Sequence, residues 1–79
     1  MIIDLERFIA AERLYWDEFE RMLDRLDSSP DRRMSFEDLQ RFHLLYERTS
    51  AALAKMVTFS SEPQTRVYLE HLVARGYSE

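Results

Sequence analysis

Apolar residues recur three and four positions apart through most of the chain, which is the spacing of one face of a helix and not the alternation of a strand. Leu5, Phe8, Ile9, Tyr15, Trp16, Phe19, Met22, Leu23 and Leu26 form the first such stripe. It predicts a helix over about residues 5–26, with Asp4 placed to accept a bond from a free first-turn amide. The second stripe runs Leu39, Phe42, Tyr46, Leu53 and Met56, with Phe36 and Val57 at its flanks and Thr49 its one polar member. Ser35 stands ahead of it as an N-cap, and Asp38 occupies the place where a capping box usually carries Glu or Gln. This predicts a helix over about 36–58. The third stripe is Leu69, Leu72 and Val73, with Tyr68 and Tyr77 beside it. Pro63 suits the first helical position, so the helix is expected over about 63–77. Gly76 falls on the same face, as a close-packing point or a C-terminal break.

Two clusters of turn-forming residues separate these segments, Asp27-Ser28-Ser29-Pro30-Asp31 and Ser60-Ser61-Glu62-Pro63. Connections this short make successive helices antiparallel neighbours. The expected fold is therefore all-α: a three-helix antiparallel bundle of two long helices and one shorter C-terminal helix, forming a single domain over residues 1–79. On the outer faces, Asp17 with Arg21, Glu37 with Arg41 and Glu62 with Arg66 stand four apart as weak local ion pairs.

Helix length adds a consequence. The first two helices should each be roughly 33 Å long, and the third roughly 22 Å. Beginning beside the end of helix 2, the third is expected to cover Phe8, Ile9, Leu53 and Met56 and to fall short of the opposite end. Met22, Leu23, Leu26, Met34, Phe36 and Leu39 would then be under-covered, a candidate patch for a protein partner or for a second copy in a two-fold dimer.

The chain has 79 residues and no cysteine, so neither a disulfide nor a thiolate metal site can reinforce it. Its core must come from the 46% of hydrophobic residues, ten of them aromatic. Net charge is −4, which repels phosphate backbones and argues against nucleic acid as a partner. The one adjacent basic pair, Arg32-Arg33, has Asp31 beside it and reads as a solvated loop. Met1-Ile2-Ile3 runs into Asp4 and Glu6 without the basic and apolar regions of a signal peptide. No apolar run approaches the roughly 20 residues that span a bilayer. A cytoplasmic setting is expected.

Glu12 is the most informative polar residue. It stands in the middle of the first apolar stripe, where a carboxylate needs a partner. Antiparallel pairing brings it level with Thr49, Ser50 and Leu53, and Arg75 on the third helix is another candidate. A polar contact that fixes helix register is the expected role. No base, nucleophile or oxyanion donor accompanies it, so no catalytic residue is assigned. His43 and His71 lack the Glu three residues earlier that carboxylate-bridged metal bundles use, since positions 40 and 68 are Gln and Tyr. They read as surface residues, and no metal or cofactor is expected.

With these residues in hand, the chain resembles the N-terminal cytoplasmic part of bacterial stage II sporulation protein M-like integral membrane proteins. The resemblance is carried by Asp4-Leu5-Glu6-Arg7-Phe8-Ile9 and Trp16, by Leu45-Tyr46 and Leu53-Ala54, and by Tyr68-Leu69 and Leu72-Val73-Ala74-Arg75. It departs at Ala52, where that family often has Asp, and at Gly76, where it often has Ala. The resemblance implies a non-catalytic cytoplasmic cap that engages neighbouring proteins, on a parent that continues beyond residue 79 into several transmembrane helices. In sporulating bacteria the namesake acts with partners in remodelling septal peptidoglycan. A free-standing cytosolic helical adaptor that self-associates is the alternative.

Overall fold

The computed structural model describes residues 5–28, 34–58 and 63–78. Within them lie α1 (Leu5–Ser28), α2 (Phe36–Thr58) and α3 (Pro63–Ser78). Only Met34 and Ser35 fall outside a helix among the described residues. The fold is a three-helix bundle of two long helices and a shorter C-terminal one, with every pair of helices in contact. Asp4, the turn residues from Ser29 to Arg33, and Glu62 with its expected bond to Arg66 lie outside the described residues.

The start of α2 follows from its cap. Ser35 Oγ accepts a hydrogen bond from the Asp38 amide at 3.0 Å, and the Ser35 carbonyl accepts from the Leu39 amide at 2.9 Å. One free donor of the first turn is thereby satisfied, and the helix is entered at Phe36.

The core consists of Trp16, Phe19, Met22 and Leu23 from α1, Leu45, Ala52 and Met56 from α2, and Leu69 and Leu72 from α3. Trp16, Phe19, Leu23, Leu45, Met56 and Leu69 are fully enclosed. The Phe19 ring joins the layers, with its centroid 5.2 Å from that of Phe42 and 6.3 Å from that of Tyr46.

Two expectations need correction. The first concerns the rotation of α2. Its buried residues are Leu45, Thr49, Ala52 and Met56. The stripe Leu39, Phe42, Tyr46, Leu53 is therefore the edge of the buried face and not its centre, and Leu39 is exposed. The physical reason is that α2 packs against both α1 and α3, so its buried face points between its two neighbours.

The second correction concerns α3, which does reach the end of α1 that it was expected to leave bare. Tyr68 Oη donates to Glu20 Oε1 at 2.9 Å, and Arg75 reaches Asp24 and Asp27 in the last turns of α1. Met22 and Leu23 are consequently core residues. Leu5, Phe8 and Ile9, at the other end of α1, are only partly buried. The bulkiest apolar cluster, Trp16 to Leu23, draws the third helix onto itself, because burying it removes the most apolar area from water.

Gly76 is what permits that docking. It is buried within α3, and a Cβ built on it would lie 2.7 Å from Phe19 Cζ and 2.8 Å from Tyr46 Cδ2. Its φ is not positive, so it is a close-packing point and not a left-handed helix stop.

Candidate interaction surface and the contacts between helices

The polar contacts between helices determine which charges are left for other work. Arg48 Nε donates to Glu12 Oε2 at 3.0 Å, and the Arg48 guanidinium carbon lies 3.9 Å from the centre of the Tyr15 ring. Two turns further along α1, Arg41 meets Glu18 through two parallel bonds, Nε to Oε2 and Nη2 to Oε1, both 2.7 Å. The hydrogen bond from Arg41, reinforced by the nearby arginine charges, holds the Glu18 carboxyl below its ordinary range. The same bond raises Arg41. Glu12 with Arg48 and Glu18 with Arg41 form an antiparallel ladder that states the register of α1 against α2. Lys55 Nζ over the Phe8 ring, at 4.5 Å from its centre, continues it.

Arg41 thus crosses to α1, whereas its expected local partner was Glu37. A two-pronged guanidinium–carboxylate pair is stronger than a single exposed contact along one helix.

At the other edge, Arg75 Nη2 donates to Asp24 Oδ1 at 3.0 Å and to Asp27 Oδ2 at 2.6 Å. These bonds raise the Arg75 pKa, with that to Asp27 the stronger influence. Asp24 and Asp27 are anions near the negative end of the α1 dipole, an unfavourable placement that Arg75 offsets. Burial, and then the hydrogen bond to Glu20, push the Tyr68 phenol above its ordinary range.

Of the residues singled out as a polar core contact, Glu12 bonds to Arg48, which was not among the candidates. Thr49 and Ser50 do not supply the contact. Among the described residues Thr49 Oγ1, Ser50 Oγ and Trp16 Nε1 are buried without a hydrogen-bond partner. Arg75 lies at the opposite end of α1 from Glu12, beside Asp24 and Asp27. The signal that could have found Arg48 is its side-chain length: a guanidinium one position from Thr49 reaches around the helix to a carboxylate that Thr49 itself cannot meet.

The expected apolar patch divides. Met22 and Leu23 are core, and Leu26 and Met34 are half-buried. Phe36 and Leu39 are exposed, at 73% and 54%. They do not stand alone. Leu44 and Val57 are exposed on the same helix at 45% and 63%, as are Ala51 and Ala54. Turning by about 100° per residue, Phe36, Leu39, His43, Glu47, Ala51, Ala54 and Val57 share the side of α2 opposite its buried face. The only formally charged member is Glu47, which His43 Nε2 approaches at 3.0 Å. Leu39, His43, Leu44 and Glu47 also border an open surface depression. The outer side of α2 thus carries apolar residues at both ends, Phe36 and Leu39 in its first turns and Ala51, Ala54 and Val57 in its last, with the exposed polar residues Gln40, His43 and Glu47 between them.

His71 is exposed. Among the described residues no group of three or more His, Asp or Glu side chains is placed to hold a metal ion. No helix among them is long and apolar enough to cross a membrane.

The family described as "Domain of unknown function (DUF8413)" has a model that matches residues 6–79. The chain belongs to that family. No curated protein and no solved structure matches the chain. The match begins in the first turn of α1 and takes in α2 and α3 complete, so the bundle and its exposed row both lie within the family domain.

Proposed function

We propose that this chain is a non-catalytic helical interaction domain, and that it serves as the cytoplasmic part of a stage II sporulation protein M-like multi-pass membrane protein. The observation that carries the first half is the outer face of α2, where Phe36, Leu39, Leu44 and Val57 stand in solvent on one helix. Exposed single apolar residues are ordinary, and it is their gathering on one side of one helix of a small domain that supports a contact surface. The pairing of Glu12, Glu18, Asp24 and Asp27 with Arg48, Arg41 and Arg75 supports a structural use of these charges.

The second half rests on the resemblance carried by Asp4 to Ile9, Trp16, Leu45-Tyr46, Leu53-Ala54 and the segment from Tyr68 to Arg75. The alternative, a free-standing cytosolic adaptor that self-associates, draws on the same α2 face.

The two are separated by the native gene product. The expected result is a reading frame that continues past residue 79 into several apolar stretches of about 20 residues, with the protein recovered in the membrane fraction. A product that ends at residue 79 and stays in the supernatant after membranes are pelleted overturns the membrane part and leaves the adaptor.

A further inference from the structure

We infer that the outer face of α2 is the interface of a two-fold dimer, in which α2 packs antiparallel against α2 of a second copy. The inference rests on the reading of the chain as an interaction domain and names its partner.

The first reason is the distribution of size along the row. Its N-terminal half carries the large side chains Phe36 and Leu39, with Leu44 at its margin, and its C-terminal half carries the small ones Ala51 and Ala54 before Val57. A two-fold axis perpendicular to the helix near Glu47 lays the large half of one copy on the small half of the other. Phe36 then meets the end of the row at Val57, and Leu39 meets Ala54. A self-complementary surface of this kind closes as a dimer without leaving a free repeat. The row from Phe36 to Val57 is about 32 Å long, at 1.5 Å per residue, and in the pair its two apolar ends cover one another on either side of a polar middle of Gln40, His43 and Glu47.

The second reason is charge. Glu37 and Lys55 flank the row on the same side of α2, near its two ends, and both are exposed. In an antiparallel pair with the axis near Glu47, Glu37 of each copy faces Lys55 of the other. The two-fold axis makes this two ion pairs. Within one chain the two residues are 18 positions apart on a straight helix, about 27 Å, so they cannot pair with each other. Lys55 lies over the Phe8 ring, which presents its ammonium at the flank where Glu37 of the second copy arrives.

One feature of the row opposes the arrangement. The two Glu47 carboxylates meet near the axis, each with its own His43 beside it. Removing that charge should therefore tighten the dimer, whereas removing a charge from an ordinary solvated helix face would not.

The test is made in solution: multi-angle light scattering and sedimentation equilibrium of the whole chain, with helix content followed by circular dichroism. The expected result is a reversible monomer–dimer equilibrium. Leu39→Glu and Ala54→Glu should each weaken it at least tenfold with helix content unchanged, and Glu47→Gln should tighten it. Glu37→Lys and Lys55→Glu should each weaken it, and the two together should restore it. A parent that is monomeric at about 1 mM overturns the dimer. So does a dimer indifferent to Leu39→Glu, or a charge exchange that fails to restore association. None of these outcomes bears on whether the native product sits at a membrane, so this inference can fail while the proposed function stands.

Discussion

Gly76 and Phe19 are fitted to one another: a Cβ on Gly76 would lie 2.7 Å from Phe19 Cζ, closer than such atoms approach. Phe19 cannot simply swing away, because it is fully buried and its ring packs on Phe42 and Tyr46. The close approach of α3 to the core depends on the missing side chain.

Gly76→Ala should therefore destabilise the domain, against the local trend. Alanine improves helix propensity by about 1 kcal/mol. Overpacking a filled core costs about 1–3 kcal/mol. The expected net loss is about 1 kcal/mol, read as a fall in Tm of roughly 4–8 °C for a domain of this size. Phe19→Leu should remove part of that penalty in a double-mutant cycle, the part that the 2.8 Å approach to Tyr46 Cδ2 does not supply. A melting temperature for Gly76→Ala equal to or above the parent's would show that α3 docks less closely than described.

The Glu12–Arg48 pair should respond unequally to loss of either partner. The Glu12 side chain is 14% exposed, against 42% for Arg48. Glu12→Leu leaves a guanidinium that water and the Tyr15 ring can still accommodate, and it extends the apolar stripe. Its stability should change by no more than about 0.5 kcal/mol, or rise. Arg48→Leu leaves a largely covered carboxylate without its donor and should cost about 1–2 kcal/mol. Urea unfolding of the two variants measures the difference, and equal losses would show that the pair is worth no more than a surface contact.

Acid should act through Glu18. Its folded pKa is lowered, chiefly by the hydrogen bond from Arg41, so the unfolded chain takes up a proton more readily than the folded one. The stabilisation is then fully present above the unfolded glutamate value of about 4.3 and is lost as the pH falls through the lower folded value. Glu18→Gln should flatten the stability curve below about pH 4.5 and leave its shape near neutrality unchanged. Tm measured from pH 3 to 7 in parent and variant provides the check. Parallel curves for the two proteins would remove Glu18 from the acid response.

The contrast between α1 and α2 shows what the sequence can and cannot reveal here. On α1 the apolar stripe has one direction, and its central members Trp16, Phe19 and Leu23 are the core. The ends of all three helices were legible from Ser35, Pro63 and the two turn clusters, to within a residue or two. On α2 apolar residues occur nearly all round, so their spacing alone does not say which of two neighbouring faces is buried. Leu45 and Ala52 were missed, while Leu39 was placed inside. The exposed row was for the same reason only half visible, through Phe36 and Leu39. The position of α3 along α1 was not legible either. A short connection fixes which helices are neighbours but not how far one slides along the other. That sliding is decided by Gly76 against Phe19 and by Arg75 against Asp24 and Asp27.

The Arg75 cluster offers a direct test of that placement. Arg75 bonds to two carboxylates in the last turns of α1, where the helix dipole already disfavours negative charge. Arg75→Ala should cost about 0.5–1 kcal/mol, a figure reduced by solvent because the side chain is one-third exposed and both aspartates are more so. Adding Asp24→Asn and Asp27→Asn should recover most of the loss, since it removes the two carboxylates that Arg75 offsets at the negative end of the α1 dipole. High salt should shrink the effect of Arg75→Ala, because a Debye length of about 3 Å at 1 M screens the repulsion. Thermal melts of the single and triple variants at low and high salt carry the comparison. If Asp24→Asn and Asp27→Asn stabilised the parent as much as they stabilise Arg75→Ala, Arg75 would be uncoupled from both, and α3 would have to lie elsewhere along α1.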